Sequence, residues 1–379
     1  MFSPGDLLRD FWEHFDVLPV WAKLVIYLFG VFLLFQGFKD SVLGPTRRSL
    51  SQFRLTLVRI GRQLKKLGKK KEEEAQPKRD IRELPPERTI WEQHAPSNPI
   101  QPLPTSIPII TVANMKGGVG KTTISANLAL ALRDKLGGEV LLIDFDYQGS
   151  LSQCVRGEVN LTKPDITADY LILAGAQDPF PLSREMFGDL AGISLYPTTY
   201  PFATIENRLL VEWLAAPQTN LMYRLCEQLR RPEFQQRYKA VIIDSPPRLT
   251  PGSINALCAS THLLVPTTLD DMSAQAATYF LDQVSRMKGS VFPGLRVLGV
   301  VPSMVYQNGA YLEEEADAVA RLKKYGSEVL NRPDFLLEDA RLFRRAAISR
   351  WAGKGVAYLH SQPVRALFQN LAEKIQAKF

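Results

Sequence analysis

Residues 113–123 read Ala-Asn-Met-Lys-Gly-Gly-Val-Gly-Lys-Thr-Thr, with a β-branched run before them, Ile109–Val112, and a helical stretch after them, Thr123–Leu132. A second apolar strand is expected at Val140–Ile143. Strand, glycine-rich turn, helix and strand in that order form the setting of a phosphate loop, and they commit the chain to an α/β fold. Gly117, Gly118 and Gly120 free the backbone N–H groups to converge on phosphate oxygens at a helix N-terminus, in a cradle that runs through Val119 to Thr123. Lys121 supplies a point charge to the β- and γ-phosphates, and the Thr122 hydroxyl suits Mg²⁺.

Three acids, Asp144, Asp146 and Asp244, each follow an apolar run. Ligand groups in parallel α/β sheets collect at the carboxyl ends of strands, so all three are expected to face the Mg–phosphate site. Asp244 is assigned to hold Mg²⁺ through water. A single strand-end acid reads as solvated; three beside a phosphate loop read as a site.

The octet Lys116–Thr123, KGGVGKTT, has Met115 where the standard loop has its first glycine, and a lysine ahead of the paired glycines. This variant loop resembles that of the ParA/MinD family of ATPases, the ParA branch more closely. Asp144-Phe-Asp146-Tyr-Gln148-Gly149 is similar to the family's D-x-D-P-Q-G segment, with Tyr147 in place of proline. Val241–Asp244 with Pro246 and Pro247 resembles its Walker B strand, and Ser253–Leu257 with Leu263–Pro266 its next helix and strand. Leu298–Met304 resembles the strand whose end meets the nucleotide base, which makes Pro302 and Ser303 base contacts. The resemblance covers nearly all of residues 107–379.

That resemblance implies a mostly parallel, twisted sheet with helices on both faces, binding ATP with Mg²⁺ and hydrolysing it slowly. It gives Asp146 the attacking water and has Asp144 organise the metal and the switch region. Lys116 would reach across an ATP-dependent homodimer to the partner's phosphates, a cation supplied in trans. A second protein, an activator or cargo, is also implied. Arg341, Arg344 and Arg345, expected as neighbours on one helical face, raise non-specific DNA as a partner; a solvated or salt-bridged face is the stronger reading, because residues 80–379 carry equal numbers of acidic and basic groups.

The formal charge of +7 resides elsewhere. Residues 39–79 hold thirteen basic against four acidic groups. Just before them, residues 17–38 form a largely apolar stretch interrupted by Lys23, long enough to span a bilayer as a transmembrane helix, with residues 1–16 outside the cytoplasm. Arg47, Arg48, Arg54, Arg59 and Arg62 follow the span and Arg9 alone precedes it, which puts the C-terminal side in the cytoplasm, at the inner membrane. Within 39–71, Leu50, Phe53, Leu57, Ile60, Leu64 and Leu67 make one helical stripe, for a leaflet surface or a coiled coil. Residues 72–106 are proline-rich and read as an extended tether without regular helix, leading to an ATPase domain at 107–379.

Two rivals use the same core. A membrane tyrosine autokinase of the polysaccharide-export type is expected to end in clustered tyrosines, whereas Tyr358 stands alone. A metabolic ligase gives no reason for a membrane tether, and an iron–sulfur carrier needs cysteines in a setting that Cys154, Cys226 and Cys258 lack.

Overall fold

The computed structural model describes residues 88–95, 104–158, 166–173, 184–185, 188–216, 220–306 and 311–379. The expected span at 17–38, the segments 1–16 and 39–71 and most of the proline-rich stretch lie outside them. Among the described residues, no helix is long and apolar enough to cross a membrane.

The chain runs α1 (Ile90–Gln93), β1 (Ile109–Val112), α2 (Lys121–Leu136), β2 (Val140–Asp144), α3 (Ser150–Glu158), α4 (Tyr170–Leu173), β3 (Arg184–Glu185), β4 (Ile193–Tyr196) and α5 (Phe202–Ala215). It continues through α6 (Arg224–Leu229), α7 (Pro232–Arg237), β5 (Ala240–Asp244), α8 (Pro251–Ala259), β6 (His262–Thr268), α9 (Asp271–Lys288) and β7 (Arg296–Val305). The last elements are α10 (Glu313–Glu328), β8 (Leu342–Phe343), α11 (Ala346–Trp351), α12 (Ala357–His360) and α13 (Gln362–Gln376).

The strands form one sheet in the order β3-β4-β2-β5-β1-β6-β7-β8. All pairings are parallel except β3 with β4, so the expected mostly parallel sheet carries one antiparallel edge. Alternate residues serve opposite faces, as the two-residue period of a strand requires. Ile109, Leu141, Ile143, Val241 and Ile243 join the core under α8 and α9, while Ile110, Val112, Leu142 and Ile242 pack beneath α2 and α13. Both faces are covered, which is why these strands read as unbroken apolar runs.

Two expectations change. Ile90-Trp-Glu-Gln93 folds into α1 inside the stretch expected to be a tether, closed by a capping box between the N-cap Thr89 and Glu92. Proline flanks it at Pro86 and Pro96 but leaves it free, and Trp91 is buried. Arg341, Arg344 and Arg345 do not share a helical face. They flank β8, and Arg345 is the N-cap of α11. Pairing of Leu342 and Phe343 with β7 and a bond from Arg344 N to Val305 O (2.8 Å) outweigh local helical spacing.

Candidate functional site

β1 is central, and the loop that leaves its carboxyl end lies between the ends of β5 and β6. Buried Asn114 anchors that loop: its Nδ2 donates to Pro266 O on β6 (2.8 Å), and its Oδ1 accepts from Lys116 N (3.0 Å). Gly118 and Gly120 adopt φ of +75° and +89°, a backbone state that L side chains resist. No side chain caps the start of α2, so its first N–H groups are free to meet an anion. A Cβ at Gly117 or Gly118 would meet nothing within 4 Å, so the cradle is open.

The remaining loop residues are fixed by their partners. Ser303 Oγ donates to Val119 O (2.7 Å) and Thr267 O (3.2 Å), tying the loop to β6 and β7. Ser303 and Pro302, expected as base contacts, are both buried; Ser303 pins the loop, and half-exposed Met304 and Tyr306 stand at the rim beyond them. Lys121 is buried and donates from Nζ to Lys116 O (2.9 Å), spanning the loop from inside. Burial lowers the pKa of its ammonium. Thr123 belongs to the first turn of α2, its carbonyl accepting from Asn127 Nδ2 (2.7 Å).

Asp144 and Asp244 are register partners at the ends of β2 and β5, and both are buried. Burial, then the Asp244 charge, pushes the Asp144 carboxyl up to about 8, and burial raises Asp244 to about 7. Asp244 accepts from Thr122 Oγ1 (2.7 Å) and Ser125 Oγ (3.1 Å). Asp144 accepts from Ser152 N (2.9 Å), Ser152 Oγ (2.7 Å) and Asp146 N (3.1 Å), so it braces the turn into α3. Asp146 is part-exposed on that turn and accepts from Gln148 N (3.1 Å).

Two carboxylates that disfavour joint ionisation, with a hydroxyl on one of them, make a hard oxygen donor set suited to a divalent cation. Thr122 and Asp244 are the residues that would hold Mg²⁺, with Asp144 alongside. Lys116 directs its ammonium to an acid of another element. Its Nζ lies 3.1 Å from Asp270 Oδ1, the N-cap of α9, whose carboxylate also accepts from Thr268 Oγ1 (2.6 Å) and Ser273 N (2.9 Å). Asp270, Ser125 and Ser152 escaped the sequence reading. Only Asp270 left a signal there, as an acid preceding a helix.

The rival readings lose ground in the same geometry. Tyr358 is fully buried and its hydroxyl donates to Asp134 (2.9 Å), which removes it as an exposed phosphorylation site. Cys226 and Cys258 are buried thiols, both raised by burial, and Cys258 Sγ contacts Val291 O.

A family described as an AAA domain matches residues 107–297, just over half of the chain. The chromosome partitioning protein ParA of Caulobacter vibrioides is 30% identical over 211 residues, 56% of this chain and 74% of that one. The chromosome-partitioning ATPase Soj of Thermus thermophilus is 31% identical over 274 residues, 71% of this chain and 95% of Soj. The chain belongs to the ParA/Soj family. Its fold is shared by an ATP complex of McdA from Cyanothece, with a TM-score of 0.55 at 20% identity over 72% of this chain and 98% of McdA. Cobyrinic acid a,c-diamide synthase of Mycobacterium smegmatis, with bound ATP analog and magnesium, aligns at a TM-score of 0.50 and 25% identity over 65% of this chain and 91% of the synthase. As a ParA/Soj-like P-loop ATPase, the chain has its phosphate loop and acids within the matched region.

Proposed function

We propose that this chain is a membrane-tethered, ATP-driven switch that dimerises around ATP, hydrolyses it slowly and thereby recruits or positions a partner protein. The observation that carries the reading is the division of labour between two lysines on one loop. Lys121 lies inside the phosphate cradle, whereas Lys116 lies outside it on Asp270. A cation excluded from its own cradle is suited to another protomer's phosphates.

In this reading the N–H groups of residues 117–123 and Lys121 hold the phosphates. Thr122 and Asp244 would hold Mg²⁺, which would supply positive charge against the phosphates. Asp146 sits on the turn beside them and orients water. Residues 17–38 span the inner membrane and residues 46–71 rest on its cytoplasmic leaflet, where each exposed basic residue contributes about 1 kcal/mol. Partitioning in the names of ParA and Soj supports a positioning role.

The test uses the full chain in detergent with a non-hydrolysable ATP analogue and Mg²⁺, its mass followed by light scattering. The wild type doubles its protein mass and Lys116→Ala does not. A variant dimer as stable as the wild type would remove the trans-acting lysine.

A further inference from the structure

Helix α1 fills a groove whose three walls all lead back to the phosphate site. Trp91 is 2% exposed, and its Nε1 donates to Leu249 O (3.3 Å). Leu249 belongs to the loop of residues 245–250, which begins immediately after Asp244. In the same loop, the Arg248 guanidinium lies 5.1 Å over the ring of Tyr147, the residue following Asp146.

The second wall is α5. The Trp91 ring stacks on Trp213 at 4.8 Å between centroids and 21° between planes, with His94 edge-on at 5.6 Å. At the other end of α5, Phe202 stacks on Phe145 at 5.6 Å, and Phe145 lies between Asp144 and Asp146 in sequence. The third wall is the last turn of α9. Arg286 Nε faces Glu92 Oε1 (3.8 Å), and Thr89 Oγ1 approaches Met287 Sδ (3.8 Å). The first turn of α9 is capped by Asp270, the partner of Lys116.

A brace serving only the core would need no relation to the site. Here, one buried indole touches the loop that follows Asp244 and the helix that packs on Phe145, while its neighbours in α1 reach the helix that holds Lys116. We propose that the groove around Trp91 reads the nucleotide state, so that binding at the phosphate loop alters how tightly α1 is docked. The inference rests on the ATP reading of the site and adds a route from it. Coupling between two equilibria is reciprocal, so whatever nucleotide does to α1, removal of Trp91 must do to nucleotide.

The experiment measures amide hydrogen exchange over residues 88–95 of the full chain in detergent, comparing a non-hydrolysable ATP analogue plus Mg²⁺ with ADP plus Mg²⁺. Exchange at Glu92, Gln93 and His94, whose N–H groups bond to Thr89 O and Ile90 O, is expected to differ at least about five-fold between the two nucleotides. Trp91→Ala then shifts the ratio of analogue to ADP affinity by a similar factor. Trp91→Phe, which keeps a ring and loses the Nε1 donor, shifts it in the same direction and serves if the alanine variant misfolds. Equal exchange in both complexes, with both nucleotides bound, would overturn the coupling and leave the ATP reading standing. Failure of the wild type to bind either nucleotide would overturn both.

Discussion

Lys116 and Asp270 stand 154 positions apart in sequence, yet they form an ion pair of 3.1 Å in which both side chains remain about one-third exposed. The contact has two functions that substitution can separate. Asp270 caps α9 with its carboxylate and restrains the one lysine that the proposed dimer needs free. Asn caps a helix as well as Asp but offers no charge to a lysine.

Asp270→Asn is therefore expected to leave the fold intact and to strengthen nucleotide-dependent dimerisation. An exposed ion pair contributes about 0–1 kcal/mol and each protomer of the dimer releases one, so the gain is at most about thirty-fold in the dimer dissociation constant. Light scattering over a dilution series with the ATP analogue measures it. Unchanged or weaker dimerisation would mean that Asp270 does not restrain Lys116.

Asp244→Asn should separate stability from activity. The buried Asp144–Asp244 pair has both carboxyls raised, so at neutral pH the fold carries an ionisation penalty that one amide relieves. A gain of about 1 kcal/mol in denaturant unfolding is expected, after allowance for weaker bonds from Thr122 and Ser125. ATP turnover that requires Mg²⁺ should be lost in the same protein. A variant less stable than wild type would show that those hydroxyl bonds outweigh the repulsion.

The strand-end position of both acids was readable, because each terminates an apolar run and the phosphate loop identifies which end of the sheet is used; their register across β2 and β5 was not. The glycines were readable for a local reason, since φ near +75° and +89° excludes most other residues. Ser303 was not. The family resemblance named it only as a base contact, and its second role, the hydroxyl that pins Val119, depends on the approach of β7 to the loop. Trp91 was hidden because four helical residues are too few for periodicity and prolines dominate their surroundings. The error at Arg341–Arg345 has the opposite origin: a spacing that fits a helix yields to two residues of edge pairing.

At the opposite end of the sheet, His262 begins β6 with its ring buried 5.3 Å from Phe379 and its Nδ1 2.7 Å from Thr261 Oγ1. Burial, followed by the Arg296 charge, lowers its pKa from 6.5 to about 4. The unfolded chain thus takes up a proton between these values while the fold does not. Stability from the neutral ring is complete above pH 6.5 and falls as pH drops toward 4, by about 2 kcal/mol by pH 5. Urea unfolding at pH 7 and pH 5 measures this loss, and His262→Gln should flatten the difference. An equal loss in the variant would assign the acid sensitivity to other groups.

The docking of α1 also decides where this protein can be cut. A fragment starting at residue 105 keeps every described strand and the whole phosphate loop, yet it strips the stacked partner from Trp213 and the donor from Leu249 O. The bared indole face would be sticky, and such a fragment would aggregate or bind detergent for reasons unrelated to its enzymology. Expression from residue 88 retains the cover. The piece to make is the longer one, which keeps α1 and the prolines that follow it.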